Sequence, residues 1–226
     1  MTGVNNAEGV LVELYMGGGG LLKCPPNLVP PAGKYIQAIE ANSSETLAAA
    51  IFSMGEARGG FLAAPMLPAG WSPGTRLQLR GPLGHGFTLP EKTRRLLLVA
   101  YENPPHRLQG LIGPALEKGA EVVLITNEPS LNVPEAVEIQ PLTQLSAAWT
   151  WADAVAADVV REDWSEFLSS IKRENASAKN PFVQVLVRAP MPCAAIAECG
   201  ICAFTQQNSW KMICKDGPVF DLTDLI

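Results

Sequence analysis

RRLLLVAYENPPHRLQGLIGPALEKGAEVVLIT, residues 94–126, sets two continuous apolar runs on either side of a helical pattern. Arg95 to Tyr101 reads as a buried strand, His106 to Lys118 as a helix ending at Gly119, and Glu121 to Thr126 as the next strand. Downstream the alternation continues: a strand over Ala154 to Val159, a helix over Glu162 to Arg173, and a last strand over Phe182 to Val187. A strand–helix–strand order of this kind implies a parallel sheet with helices packed on it. Ser170 to Pro181, SIKRENASAKNP, reads as a polar loop or a frayed helix end.

Upstream the pattern is different. Residues 9 to 87 are short apolar segments (Val10 to Tyr15, Lys34 to Ile39, Gly60 to Ala64, Arg76 to Leu79) punctuated by Gly and Pro, which suggests a small antiparallel barrel or sandwich. The tetraglycine Gly17 to Gly20 lacks the Lys-Ser/Thr of a phosphate-binding loop and opens no helix, so it reads as a hairpin tip. The expected class is therefore α/β plus β. Its units are a β-barrel over residues 1–90, an α/β domain over 91–188 and a cysteine-rich module over 189–226.

With 226 residues, 47% of them hydrophobic and 17% charged, the chain can bury a substantial core. A net charge of -5 and the lack of a basic stripe argue against nucleic acid as a partner. The N-terminus has no secretory pattern and no apolar run is long enough to span a bilayer, so a cytoplasmic location without membrane insertion is expected. In that compartment thiols stay reduced, and clustered cysteines serve metals or redox chemistry more often than disulfides.

Four of the five cysteines, Cys193, Cys199, Cys202 and Cys214, fall in the last thirty-four residues. Three close thiols and a fourth one hairpin later approach the C-x4-C-x2-C plus distant cysteine of plant-type iron-sulfur proteins, with a first gap of five residues instead of four. Thiolates suit zinc equally well, and Cys199 and Cys202 as C-x2-C serve either metal. Structural zinc sites pair two such knuckles, and this chain has one; the residues favour 2Fe-2S and leave zinc open. Small residues between the ligands (Ala194, Ala195, Ala197, Gly200) permit close backbone approach. Glu198 is expected to point outward and Trp210 to pack as a lid on the loop, with Asp216-Gly217 as a turn. Cys24 is isolated and reads as a structural thiol. His85 and His106 have no hydrolase context, and Trp149 and Trp151 read as core or interface.

A barrel, then GPLGHGF at Gly81 to Phe87, then an α/β domain, then a cysteine cluster closed by CKDGPVFD resembles the electron-transfer subunit of the NAD-dependent dihydroorotate dehydrogenases, ferredoxin-reductase-like proteins. The resemblance implies an FAD-binding core, a 2Fe-2S module, a flavin-containing catalytic partner and a place in pyrimidine biosynthesis. The chain departs from that pattern at both nucleotide sites. After the PGQF-like strand, here Pro31 to Tyr35, the family's L-R-R-P-I-S segment is replaced by TLAAAIFSM, Thr46 to Met54, with Ala48 and Ala49 at the arginine positions. Alanine offers a pyrophosphate neither charge nor donors. The family's glycine-rich turn is replaced by AYENPPHRLQG, Ala100 to Gly110, whose prolines remove N–H groups. The expected function is an iron-sulfur electron-transfer subunit that has lost NAD binding, with FAD open and its loss favoured. The alternative is a non-redox, zinc-binding scaffold or regulatory subunit.

Overall fold

The computed structural model describes residues 4–41, 47–128, 133–172, 181–206 and 209–226. Thr46 and residues 173–180 of the polar loop lie outside them. Six strands, β1 (Asn5–Leu14), β2 (Gly20–Lys23), β3 (Tyr35–Glu40), β4 (Ala49–Ala57), β5 (Gly60–Ala63) and β6 (Arg76–Leu83), close into an antiparallel barrel in the order β1-β2-β5-β4-β3-β6. Pairing of β1 with β6, from Asn5 opposite Gly81 to Val10 opposite Arg76, seals it. Leu11, Leu22, Ile36, Ile51, Phe61, Leu77 and Leu79 fill the interior. The tetraglycine sits at the tip of the β1–β2 hairpin, where Gly17 and Gly18 take φ of 100° and 86°, conformations that cost glycine least.

A six-stranded sheet follows: β7 (Arg95–Ala100), β8 (Glu121–Ile125), β9 (Val137–Gln140), β10 (Ala154–Val160), β11 (Phe182–Arg188) and β14 (Val219–Asp221). Its order is β14-β11-β10-β7-β8-β9, parallel except for β14, which runs antiparallel on the edge. Alternation along β7 shows why that run is apolar at every position. Leu96, Leu98 and Ala100 pack with Leu108, Ile112 and Ala115 on one face, while Leu97 and Val99 pack with Trp149 and Phe167 on the other.

The helix expected over His106 to Lys118 is divided. Pro105–Leu111 is a 3-10 helix and α1 covers only Ile112–Glu117, because Pro114 has no N–H for the Gly110 carbonyl and its ring would crowd that carbonyl in a continuous α-helix. Gly119, at φ 72°, ends α1 as expected, with Ala120 N–H on the carbonyl of Ala115 at 3.0 Å. On the opposite face lie α2 (Leu145–Trp151) and α3 (Trp164–Lys172). Trp149 is buried in α2, and Arg95 lies over the ring of Trp151.

Three sequence motifs meet where the barrel joins the sheet. In GPLGHGF, Gly84 has φ 74°, and a Cβ there would lie 2.5 Å from Cδ of Pro218. The neighbouring His85 N–H donates to the Gly217 carbonyl at 2.6 Å, and His85 Nδ1 lies 2.9 Å from the Asp216 carbonyl. Gly33, from the Pro31 to Tyr35 stretch, has φ 82°, and a Cβ there would meet Cγ2 of Val219 at 2.5 Å and Cδ2 of Phe87 at 2.8 Å. Glycine is required at both positions by conformation and by space. Gly84→Ala is expected to destabilise the protein by ~2–4 kcal/mol in urea unfolding, whereas Gly70→Ala, which meets no neighbour, stays within about 0.5 kcal/mol of wild type.

Candidate metal centre

The chain leaves β11 and turns sharply through Met191–Cys202. Ala194 and Ala195 take φ of 39° and 66° and Gly200 φ 75°, so three residues of this short loop adopt left-handed backbone. Such a path wraps the loop around a point. After it come the hairpin β12 (Ala203–Gln206) and β13 (Ser209–Met212), then the one-turn helix α4 (Ile213–Asp216). Asp216 takes part in more than the expected turn, since its Oδ2 accepts the Met212 N–H at 2.7 Å.

All four predicted cysteines come together, as two pairs. The Sγ atoms of Cys193 and Cys199 are 3.4 Å apart, and those of Cys202 and Cys214 are 3.1 Å apart. Cys199 is exposed and Cys193 half-buried, while Cys202 and Cys214 are 1% and 4% exposed. Two thiolates held at about 2.3 Å on one tetrahedral ion sit roughly 3.7 Å apart, so the outer pair is about 0.3 Å and the inner pair about 0.6 Å closer than a shared ion requires. Among the described residues no three His, Cys, Asp or Glu side chains gather around a single ion position. The arrangement suits a binuclear group with one metal on each pair. The five-residue gap between Cys193 and Cys199 does not keep these two sulfurs apart.

The loop is held through its carbonyls. Gln37 of β3 donates from Nε2 to Pro192 O at 3.0 Å, Arg80 of β6 from Nη1 to Ala194 O at 3.2 Å, and the Tyr35 hydroxyl to Cys214 O at 3.3 Å. From the sheet side, Arg161 Nη1 donates to Ile201 O at 2.7 Å and to Ala203 O at 3.2 Å, on both sides of Cys202. These four residues were not singled out in the sequence. A lone Gln or Arg on a barrel strand carries no pattern that reports which distant carbonyl it will meet. Burial, and then the Cys214 and Cys202 thiols, push the Tyr35 hydroxyl up.

Trp210 does not pack as a lid. It is 65% exposed on β13 and lines an open cleft of about 540 Å³ with Ile196, Met212 and Lys215 beside Cys214. Glu198 is exposed, as expected. Cys24 is half-buried against the barrel core, and burial pushes its thiol up to about 11, in keeping with a structural role. His106 is partly buried and drawn down by that burial and by Arg107.

Cys193 and Cys214 differ in acidity. Burial pushes the Cys193 thiol up, but hydrogen bonds with the Ala197 backbone, with Cys199 and with the Ala195 backbone outweigh it and bring it down to about 7. Burial, reinforced by Cys202, pushes Cys214 up to about 12. Iron and zinc bind thiolate, so Cys193 offers a ready ligand near neutrality and Cys214 must lose its proton to the metal. In metal-free protein at pH 7, iodoacetamide is expected to label Cys193 at least about tenfold faster than Cys214, as followed by peptide mass spectrometry.

Residues 191–226 match the family model described as the iron-sulfur cluster binding domain of dihydroorotate dehydrogenase B. No curated protein matches the chain. Among solved structures it is similar to a chain of the NADH-dependent reduced ferredoxin-NADP oxidoreductase, reported for insights into flavin-based electron bifurcation, at 15% identity and a TM-score of 0.73, covering 97% of this chain and 90% of that one. It is also similar to the Amycolatopsis cytochrome P450 reductase GcoB (13% identity, TM-score 0.59, 80% and 70% covered) and to the ferredoxin reductase in carbazole 1,9a-dioxygenase (11%, 0.60, 78% and 67%). At these identities the matches show the fold. The chain therefore has a ferredoxin-reductase-like fold, and its last 36 residues are similar to the iron-sulfur cluster binding domain of dihydroorotate dehydrogenase B.

Proposed function

We propose that this protein is an iron-sulfur electron-transfer subunit that holds a 2Fe-2S cluster on Cys193, Cys199, Cys202 and Cys214 and works with a flavin-containing catalytic subunit in the cytoplasm. The observation that carries the reading is the sorting of the four sulfurs into two pairs at 3.4 and 3.1 Å, one for each of two metal ions. A bound cluster supplies one-electron transfer. The chain's own residues fix where that occurs. Tyr35, Gln37, Arg80 and Arg161 take carbonyls of the cysteine segment and so hold its backbone in place around the four thiols.

A docking face supports the subunit reading. Cys199, Ile196 (69% exposed), Ile201 (49%) and Trp210 (65%) lie on the same loop and hairpin. An exposed aromatic and aliphatic group beside a redox centre suits a transient protein interface, since aromatic residues are enriched at such contacts. By this reading residues 189–226 are the redox module and residues 1–188 its support.

Loss of the nucleotide sites is part of the proposal. The strand–helix turn after β7 is closed on itself: Asn103 Nδ2 donates to the Tyr101 carbonyl at 2.6 Å, Glu102 stands at φ 51°, and the following turns are 3-10 from Pro105. Neither Pro104 nor Pro105 has an N–H to direct at a phosphate. On the barrel, Ala48 and Ala49 line a cleft whose cations, Arg107 and Arg188, stand on the opposite wall, and Phe52 packs against Tyr35. These features favour loss of NAD and of FAD together.

The zinc-bound scaffold is the competing reading, and one analysis separates the two. Protein purified without oxygen is expected to carry about two iron and two acid-labile sulfide per chain, to bleach on dithionite, and to release no flavin fluorescence on heat denaturation. Stoichiometric zinc without sulfide would overturn the cluster assignment, and released flavin would overturn the loss of FAD. Cys214→Ser is expected to abolish loading of iron and sulfide in the same assay.

A further inference from the structure

Arg80 stands on the outer face of the barrel, in the middle of three residues that lie opposite one another on neighbouring strands: Asn6 of β1, Arg80 of β6 and Gln37 of β3. Its Nη1 donates to Gln37 Oε1 at 3.3 Å and to the Ala194 carbonyl at 3.2 Å, while Gln37 Nε2 donates to the Pro192 carbonyl at 3.0 Å. Together they take the carbonyls on both sides of Cys193, in the outer pair. Arg161 does the same for Cys202 of the inner pair, through the carbonyls of Ile201 and Ala203. Each sulfur pair therefore has one guanidinium beside it.

The two guanidinium groups differ in what neutralises them. Arg161 is closed on Glu162 at 2.7 Å. Elsewhere Arg76 pairs with Glu8, and Arg107 and Arg188 share the buried Asp158. Among the described residues no carboxylate stands within ion-pair distance of Arg80, and the two acceptors of its Nη1 are neutral. The groove of about 360 Å³ above it is lined by Asn6, Gln37, Ala48, Gln78 and apolar neighbours, with no charge but its own. Arg80 is half-buried, so water and salt screen it less than a surface arginine. Holding the loop needs only neutral donors, as Gln37 shows at the Pro192 carbonyl. An unpaired cation beside Cys193 adds what holding does not require, a positive charge next to a centre of four thiolates.

We propose that Arg80 sets the reduction potential of the cysteine centre, its uncompensated charge stabilising the electron that the loaded centre accepts. The inference rests on the cluster assignment made above. A centre held by four thiolates is an anion, and one added electron makes it more negative without forming or breaking a bond. A cation nearby therefore favours the reduced form, whichever donor delivers the electron.

Full-length protein purified without oxygen is assayed for iron and acid-labile sulfide and then titrated with dithionite in the presence of redox dyes, followed by visible absorbance. Arg80→Gln keeps an amide donor and loses the charge; it is expected to shift the reduction equilibrium about tenfold toward the oxidised form, ~59 mV lower in potential. Arg80→Lys keeps the charge and is expected to stay within about threefold of wild type. Asn6→Asp places a carboxylate opposite Arg80 and leaves the donors to the Pro192 and Ala194 carbonyls in place. It is expected to shift the equilibrium at least about twofold in the same direction, and it decides the matter if Arg80→Gln does not load. Equal lowering in Arg80→Gln and Arg80→Lys overturns the proposal, because the shift then comes from the bonds that hold the loop. A loaded wild type whose potential is unmoved in Arg80→Gln, or in Asn6→Asp where that variant decides, overturns this inference alone. Wild-type protein without iron and sulfide overturns the cluster assignment and this inference with it.

Discussion

Everything in this molecule depends on the chain returning at its end to the place where the barrel meets the sheet. Strand β14 pairs with β11, Gln184 opposite Asp221 and Leu186 opposite Val219, and thereby closes the edge of the parallel sheet with residues that follow the last cysteine. The return passes so close to the barrel that no side chain fits at Gly33 or Gly84. Gln184 reinforces it from inside the sheet, donating from Nε2 to Asp221 Oδ1 at 2.9 Å and to the Thr88 hydroxyl at 3.1 Å. A segment anchored at both ends, by β11 before and β14 after, can hold left-handed turns and partly exposed thiols that would be costly in a free loop.

That anchoring explains how a loop with few internal hydrogen bonds presents four thiols in order. The hydrogen bonds that fix it come from outside, from β3 and β6 of the barrel and from Arg161 after β10. The inner pair, Cys202 and Cys214, shares the core with Phe204 and Phe220, and Phe204 meets Trp164 edge to face at 5.3 Å between ring centroids. The outer pair faces solvent. One pair is thus built into the hydrophobic core and the other placed where a partner can approach, a division that fits a centre exchanging electrons with another protein.

The proposed loss of nucleotide contacts leaves the scaffold standing. Alanines where a phosphate would need cations, and prolines where it would need N–H groups, do not disturb the architecture, because barrel and sheet are held by their cores and by pairing of backbone. The cleft between the two units persists. Its charge comes from Arg107 and Arg188 on the sheet side, so the positive charge has a different position and a different geometry from an arginine carried on the barrel strand.

Much of this was legible in the order of residues. The all-apolar runs at Arg95–Ala100 and Glu121–Ile125 required strands covered on both faces, Gly119 stopped a helix, and the cysteine spacing brought thiols together, since each of these is a local property of composition or reach. Elements with weak local signals were not legible. Strand β4 begins in a run of alanines, β9 is short and partly exposed, and β14 exists only because β11 offers an edge. The 3-10 geometry of Pro105–Leu111 departs from the expected helix because Pro114 cannot bond back to the Gly110 carbonyl.

The sequence by itself determined the fold class and which thiols cluster, because periodicity and cysteine spacing are written in neighbouring residues. Only the tertiary structure decided that the thiols form two pairs, that Trp210 faces solvent, that Tyr35, Gln37, Arg80 and Arg161 hold the loop, and that Asp158 faces two arginines. Those relations join residues as far apart as Tyr35 and Cys214, and no local pattern specifies them: they follow from strand register and from the return of the chain to the sheet edge.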